Sequence, residues 1–127
     1  MATIRSIMTK DLITVQPTTA LGDAVKLLIE HGITGLPVVD GAGHIAGVLS
    51  EKDLLKAFYE DAKTVDALMT KDPETVGVDS DLVDVFDILM TNSFRRILVH
   101  DNGKLVGLVS RSDLMPVVLE ALLERVR

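Results

Sequence analysis

Two stretches of this chain carry side chains fit for binding chemistry: Gly47-Val48-Leu49-Ser50-Glu51-Lys52-Asp53-Leu54 and Gly107-Leu108-Val109-Ser110-Arg111-Ser112-Asp113-Leu114. Each begins as the end of an apolar strand and closes as the opening of a helix, with Ser three residues before Asp. A hydroxyl, a carboxylate and the backbone N–H groups of a helix N-terminus then gather at one point. Two such termini in one small chain point to a paired binding site. The same spacing is also a capping box, in which Ser and Asp satisfy backbone donors at the helix start, and one Ser can serve both roles.

The elements that position these groups come from a duplication. Met8-Thr9-Lys10-Asp11 recurs as Met69-Thr70-Lys71-Asp72, an offset of 61 residues. At the same offset Thr14-Val15 recurs as Thr75-Val76, Leu21 as Leu82, Asp23 as Asp84, Leu28 as Leu89, Val38 as Val99 and Asp40 as Asp101. Beyond the turn the offset falls to 60, because Asp40-Gly41-Ala42-Gly43 is one residue longer than Asp101-Asn102-Gly103. A single shift that falls in a turn is what duplication of one structural unit leaves behind. The division expected is 1–61 and 62–127.

Each unit reads as strand, helix, strand, strand, helix. Leu12 to Val15 is extended and ends before Pro17, whose predecessor Gln16 is turned away from helix. Thr18 or Thr19 is placed to cap a helix with Leu21, Ala24, Val25, Leu28 and Ile29 on one face, and Gly32 to stop it. In the second unit Asp79 or Ser80 starts the matching helix, which carries Leu82, Val85, Phe86, Leu89 and Met90. Leu36 to Val39 and Ile45 to Leu49 form a hairpin, as do Ile97 to His100 and Leu105 to Val109. Pro37 belongs at a strand start or edge. The helix opened by Ser50 carries Leu54, Leu55 and Phe58 and fades around Asp61 to Lys63. The helix from Ser110 to about Val126 carries one stripe of Leu114, Val118, Ala121 and Leu122 and a second of Met115, Leu119, Leu123 and Val126, with Pro116 set to kink it or shift its start. Either this wide apolar surface meets another protein or the helix folds back on its own core.

Composition limits the classes of function. A chain of 127 residues with 47% hydrophobic content fits one domain with a core, and a chain of this size buries roughly two thirds of its unfolded surface. Its apolar runs fall short of the ~18 residues that a membrane span needs, and no export signal is evident, so a cytoplasmic protein without membrane contact is expected. The absence of Cys excludes disulfides and thiolate metal sites. A net charge of −6, 3% aromatic residues and no Trp argue against a nucleic-acid surface. Asp79, Asp81, Asp84 and Asp87 lack calcium-loop spacing and read as helix-start charge, and His31, His44 and His100 are scattered, so no metal is expected. With no phosphate loop, no His-Glu-x-x-His and no nucleophile elbow, the chain is not read as an enzyme.

The double unit resembles a tandem CBS-domain pair, often called a Bateman module. The likeness lies in Ile7-Met8-Thr9, Thr14-Val15, Gly35-Leu36-Pro37-Val38-Val39-Asp40 and the two Gly-x-x-Ser-x-x-Asp closures, and it covers nearly the whole chain. The second unit departs from the pattern with Leu98 where the first has Pro37. The resemblance implies an α+β fold, two β-α-β-β-α repeats packed with pseudo-two-fold symmetry into one domain.

It also implies an adenosine-containing ligand: AMP, ADP or ATP, with S-adenosylmethionine as an alternative and a structural dimerisation module without ligand as another. No obligatory cofactor follows from it. Asp53 and Asp113 would accept hydrogen bonds from ribose hydroxyls, as suits a carboxylate facing a vicinal diol. Ser50 and Ser110, with the helix-opening N–H groups, would face phosphate. Val15, Gly35 and Leu36, and Val76 and Ile97, would wall the adenine. Pairing of motifs in the family groups Ser50 and Asp53 with Thr75, Val76, Arg95 and Arg96, and groups Ser110, Arg111 and Asp113 with Thr14, Val15, Thr34, Gly35 and Leu36. Arg95-Arg96 stands where the first unit has uncharged Thr34-Gly35, and guanidinium forks match phosphate oxygens, so the Arg95-Arg96 group is the better phosphate site. Output is expected through a homodimer or a protein regulated in trans.

Overall fold

In the computed structural model, residues 2–92 and 95–126 are described. In chain order the elements are α1 (Ile4–Ile7), α2 (Leu21–His31), β1 (Gly35–Val39), β2 (Ile45–Ser50), α3 (Glu51–Leu55), two single 3-10 turns (Lys56–Phe58 and Val65–Ala67), β3 (Thr70–Lys71), β4 (Thr75–Gly77), α4 (Leu82–Thr91), β5 (Arg96–Asp101), β6 (Lys104–Ser110) and α5 (Arg111–Arg125). The strands form two three-stranded sheets, ordered β1-β2-β3 and β4-β5-β6. This mixed architecture, with strands and helices repeated twice, is the α+β fold expected from the sequence.

The chain divides into two compact units, which are not the two halves of the sequence. One comprises Ile13–Pro73 with Gly103–Leu105, the other Met1–Leu12, Glu74–Asn102 and Val106–Arg127. Each has its own core, and the cores use equivalent residues. Ala24, Leu28, Leu36, Val38 and Leu49 are buried in the first, and Val85, Leu89, Ile97, Val99 and Val109 in the second. Full burial of one such side chain is worth roughly 1.5–3 kcal/mol.

The cores also explain why the units cut across the repeat. Ile4, from the start of the first repeat, lies fully buried in the core of the second, and Val65, its equivalent 61 residues on, lies fully buried in the core of the first. Each repeat thus lends its opening segment to the other. The segment after Ile4 pairs Thr9 with Leu108, and the segment after Val65 forms β3, which pairs Lys71 with Gly47 and Thr70 with Val48. At Gly47 this pairing brings a foreign main chain so close that glycine is required, while at Gly107 the nearest atoms belong to a side chain. A Cβ on Gly47 would stand 2.6 Å from the Thr70 carbonyl oxygen, and a Cβ on Gly107 would meet the Met8 side chain, with the Thr9 carbonyl oxygen at 3.2 Å.

The local elements follow the expected pattern with some corrections. β1 and β2 pair antiparallel from Gly35 with Ser50 to Val39 with Ile45, with an irregularity at Val38/Val39. Pro37 sits in β1, the outer strand of the sheet, where its carbonyl accepts the Val15 N–H. The extended segment before Pro17 narrows to a bridge of Val15 with Val38, whereas its equivalent is the full strand β4, parallel to β5. Neither Thr18 nor Thr19 caps α2: Ala20 holds that position with no side-chain bond, and the Thr19 hydroxyl instead accepts the Gln16 N–H. Gly32 ends the helix in the left-handed region, as placed. For α4 the cap is Asp81 rather than Asp79 or Ser80, its carboxylate accepting the Val83 N–H at 3.1 Å. Ile29 and Met90, expected inside, are 75% and 81% exposed, because the buried face is narrower and is met by the residues three and four positions apart before them.

The hairpin tips differ as the one-residue insertion demands. Asn102 and Gly103 both take positive φ, the backbone of a two-residue turn matched to strand twist. In the longer turn the Asp40 carboxylate accepts the N–H groups of His44 and Ala42, at 2.9 Å each, and these donors, that of His44 first, hold its carboxyl below the usual range. The tips join through the Ile45 N–H to the Gly103 carbonyl at 3.1 Å and the Leu105 N–H to the Gly43 carbonyl at 3.0 Å. α5 runs unbroken through the exposed Pro116.

Replacing Gly47 by Ala pushes a methyl group into fixed main chain, so Gly47→Ala is expected to lower stability by about 1–3 kcal/mol. Gly107→Ala meets a flexible Met8 first and costs less. Urea unfolding of both variants checks the order.

Candidate functional site

Both Ser-x-x-Asp closures fold as capping boxes. In the first, the Asp53 N–H donates to Ser50 Oγ at 3.1 Å, and the Ser50 N–H donates to Asp53 Oδ2 at 3.0 Å. In the second, the Ser110 N–H donates to Asp113 Oδ2 at 2.8 Å and the Ser110 hydroxyl to the same oxygen at 3.1 Å. Strand β2 or β6 delivers the Ser in extended backbone, and the helix that follows turns the Asp back onto it. The amide after each Ser is also engaged: the Glu51 N–H donates to the Thr34 carbonyl at 2.9 Å, and the Arg111 N–H to the Arg95 carbonyl at 3.3 Å. The helix-opening donors expected to face phosphate are therefore in part used by the fold itself.

Within the unit Ile13–Pro73, the structure brings Thr34, Gly35 and Leu36 to Ser50 and Asp53. Gly35 pairs with Ser50 and Leu36 with Leu49, and a Cβ on Gly35 would crowd the Leu49 carbonyl oxygen at 3.3 Å. Thr14 is exposed beside buried Val15. Within the other unit, Arg95 lies at the start of α5 through its carbonyl, ahead of β5, which carries Arg96 and Ile97; Thr75 and Val76 pair with Leu98 and Val99. Arg95 and Arg111 are exposed; Arg96, Ser110 and Asp113 are half-buried. Val15, Leu36, Val76 and Ile97 have their side chains in the cores, so what they present at a surface is chiefly main chain.

Sequence reasoning passed over two residues that the geometry places on the carboxylates. The Thr70 hydroxyl donates to Asp53 Oδ2 at 3.4 Å. The Thr9 hydroxyl lies 3.4 Å from both carboxylate oxygens of Asp113. Their signal was present: Met-Thr recurs at the repeat offset, but the partner of each is contributed by the other repeat, which no single repeat displays. An open hollow of about 260 Å³ lies elsewhere, between Gly77–Ser80 and His100–Asn102, and none of the expected site residues lines it. Among the described residues no three His, Cys, Asp or Glu side chains gather where a metal ion could be held, and no helix is long and apolar enough to cross a membrane.

The family model for the CBS domain matches residues 4–60 and 65–120. The chain belongs to the CBS-domain family. Both matched CBS domains carry one Gly-x-x-Ser-x-x-Asp closure. The chain is 34% identical to an uncharacterised 17.7 kDa protein of Acidianus ambivalens over 120 residues, spanning 92% of this chain and 73% of that one. Among solved structures it is similar to CBSX2 of Arabidopsis thaliana in complex with AMP, with a TM-score of 0.85 and 34% identity over 95% of this chain and 98% of that one. It is also similar to the CBS domain pair of protein MJ0100 in complex with 5′-methylthioadenosine and S-adenosyl-L-methionine, with a TM-score of 0.80 and 26% identity over 95% and 98%.

Because Ser50 caps α3 with its side chain, Ser50→Ala is expected to lower stability by about 1 kcal/mol, read as a shift of the urea midpoint at unchanged slope.

Proposed function

We propose that this CBS pair is a regulatory module that binds an adenine nucleotide, AMP, ADP or ATP, and passes its occupancy to a partner or to its own oligomeric state. The observation that carries the reading is the fixed pair of carboxylates, Asp53 and Asp113, each aimed by a backbone N–H at a strand-to-helix junction. A carboxylate so held suits a ribose diol. Arg95 and Arg96 supply the phosphate-binding charge, with Arg111, Ser50 and Ser110 beside the helix starts. Main chain of Val15, Gly35 and Leu36, and of Val76 and Ile97, receives the base, with Thr14, Thr34 and Thr75 beside it. Support also comes from the similarity to CBSX2, whose structure holds AMP. A sulfonium ligand such as S-adenosylmethionine, held by the less similar MJ0100 pair, gains nothing from two guanidinium groups. Ligand binding shifts output only by its different affinity for two states, typically ~1–3 kcal/mol of coupling.

A thermal-shift panel of AMP, ADP, ATP and S-adenosylmethionine tests this. At 100 times the dissociation constant a ligand adds about 2.7 kcal/mol, raising the melting temperature by roughly 10 °C. The resemblance groups Asp53 with Arg95 and Arg96, so the response is expected to vanish in Asp53→Asn and persist in Asp113→Asn. Asn keeps the cap, since its carbonyl oxygen must accept the Ser50 N–H, and this turns its NH2 to the place where ribose needs an acceptor. The opposite pattern refutes the assignment, and no response to any of the four leaves a structural module.

We also propose self-association through α5. Met115, Leu119, Leu122, Leu123 and Val126 are from 47% to 80% exposed, an apolar stripe wider than a lone chain needs. Removal of the residues after Leu119 is expected to lower the mass read by light scattering from dimer to monomer; an unchanged mass removes this face from the interface.

A further inference from the structure

Thr9 and Thr70 are equivalent in the repeat, and each hydroxyl reaches the carboxylate that the ligand reading assigns to ribose. The two arrangements are not alike. On Asp53, the Ser50 N–H and the Thr70 hydroxyl both donate to Oδ2, at 3.0 and 3.4 Å, and among the described residues no donor is recorded on Oδ1. On Asp113, Oδ2 accepts the Ser110 N–H and hydroxyl, and the Thr9 hydroxyl lies across both oxygens at 3.4 Å. A carboxylate has about four acceptor positions. Two donors on one oxygen of Asp53 fix its plane and leave the other oxygen open toward a diol. On Asp113, a hydroxyl shared between both oxygens competes with that diol.

The threonines are themselves held by main chain. Thr9 exchanges hydrogen bonds with Leu108, its N–H donating at 2.8 Å and its carbonyl accepting at 3.0 Å, while Thr70 pairs with Val48 beside the close approach at Gly47. Their hydroxyls therefore turn only about the side-chain torsion, on a fixed backbone.

We propose that these two threonines grade the carboxylates in opposite senses: Thr70 is a positioning residue that readies Asp53 for ligand, and Thr9 holds Asp113 closed. The inference rests on the ligand-binding reading above and adds to it which carboxylate binds first and why. Thr70 acts through Asp53 and touches no ligand itself.

Calorimetry with AMP on the full chain separates the possibilities. Wild type is expected to bind one AMP per chain. Thr70→Val keeps the shape and removes the hydroxyl, so it weakens that binding about three- to tenfold, the range of one net hydrogen bond, and Thr70→Ser restores it. Thr9→Val frees Asp113, and a second AMP per chain appears, lost again in Thr9→Val/Asp113→Asn. The melting temperature without ligand guards against damage to the fold: a Thr70→Val protein that melts as wild type yet binds more weakly supports the positioning role. Wild-type affinity in Thr70→Val, or weaker binding in Thr9→Val with no second event, overturns the grading while leaving the ligand reading intact. Failure of the wild-type chain to bind AMP overturns both.

Discussion

Two missing side chains govern this structure. At Gly47 the Thr70 carbonyl, and at Gly107 the Met8 side chain, lies where a methyl group would stand, and the close approach lets Met69-Thr70 and Met8-Thr9 lie against the strands that end in Ser50 and Ser110. A larger residue at Gly47 would push against the Thr70 main chain, which carries the hydroxyl on Asp53. The hydrogen bond from a backbone N–H to a carboxylate then completes each junction. Such bonds to a charged acceptor are worth roughly twice a neutral one.

In the ligand reading, stability and binding use the same atoms. The Ser-Asp pair that closes each strand-to-helix junction is also the pair that the ligand reading needs, and a capping box and a ligand site are not rivals so long as one carboxylate oxygen stays open. Asp53 meets that condition among the described residues, and Asp113, bracketed by Thr9 and Ser110, meets it less well. A duplicated unit has in this way acquired two inequivalent junctions from nearly the same residues, the difference lying in where the serine and threonine hydroxyls point.

The sequence displayed the fold well because the duplication repeats every signal. Apolar spacing located α2 and α4, and the turn residues located both hairpins, since Asn102-Gly103 and the Asp40 turn have few other conformations open to them. Helix caps were harder: Thr18, Thr19, Asp79, Ser80 and Asp81 are all chemically able to cap, and which one does so depends on where the core stops the helix. Ile29 and Met90 misled because an apolar residue at helical spacing does not reveal how wide the buried stripe is. The capping of α3 by Ser50 and Asp53 was legible from local spacing, while the contacts of Thr9 and Thr70 with the two carboxylates were not, because each depends on a strand supplied by the other repeat.

That exchange of opening segments bears on the order in which the molecule forms. Thr70 and Asp53 are 17 residues apart in the chain, Thr9 and Asp113 are 104 apart, and closing the longer loop costs roughly 1.6 kcal/mol more in chain entropy. Local contacts form fastest, so the unit around Ile13–Pro73 has nearly all its partners soon after they leave the ribosome. The other unit must join segments far apart in the chain, since the main chain that follows its Ile4 anchor pairs at Thr9 with Leu108 of β6.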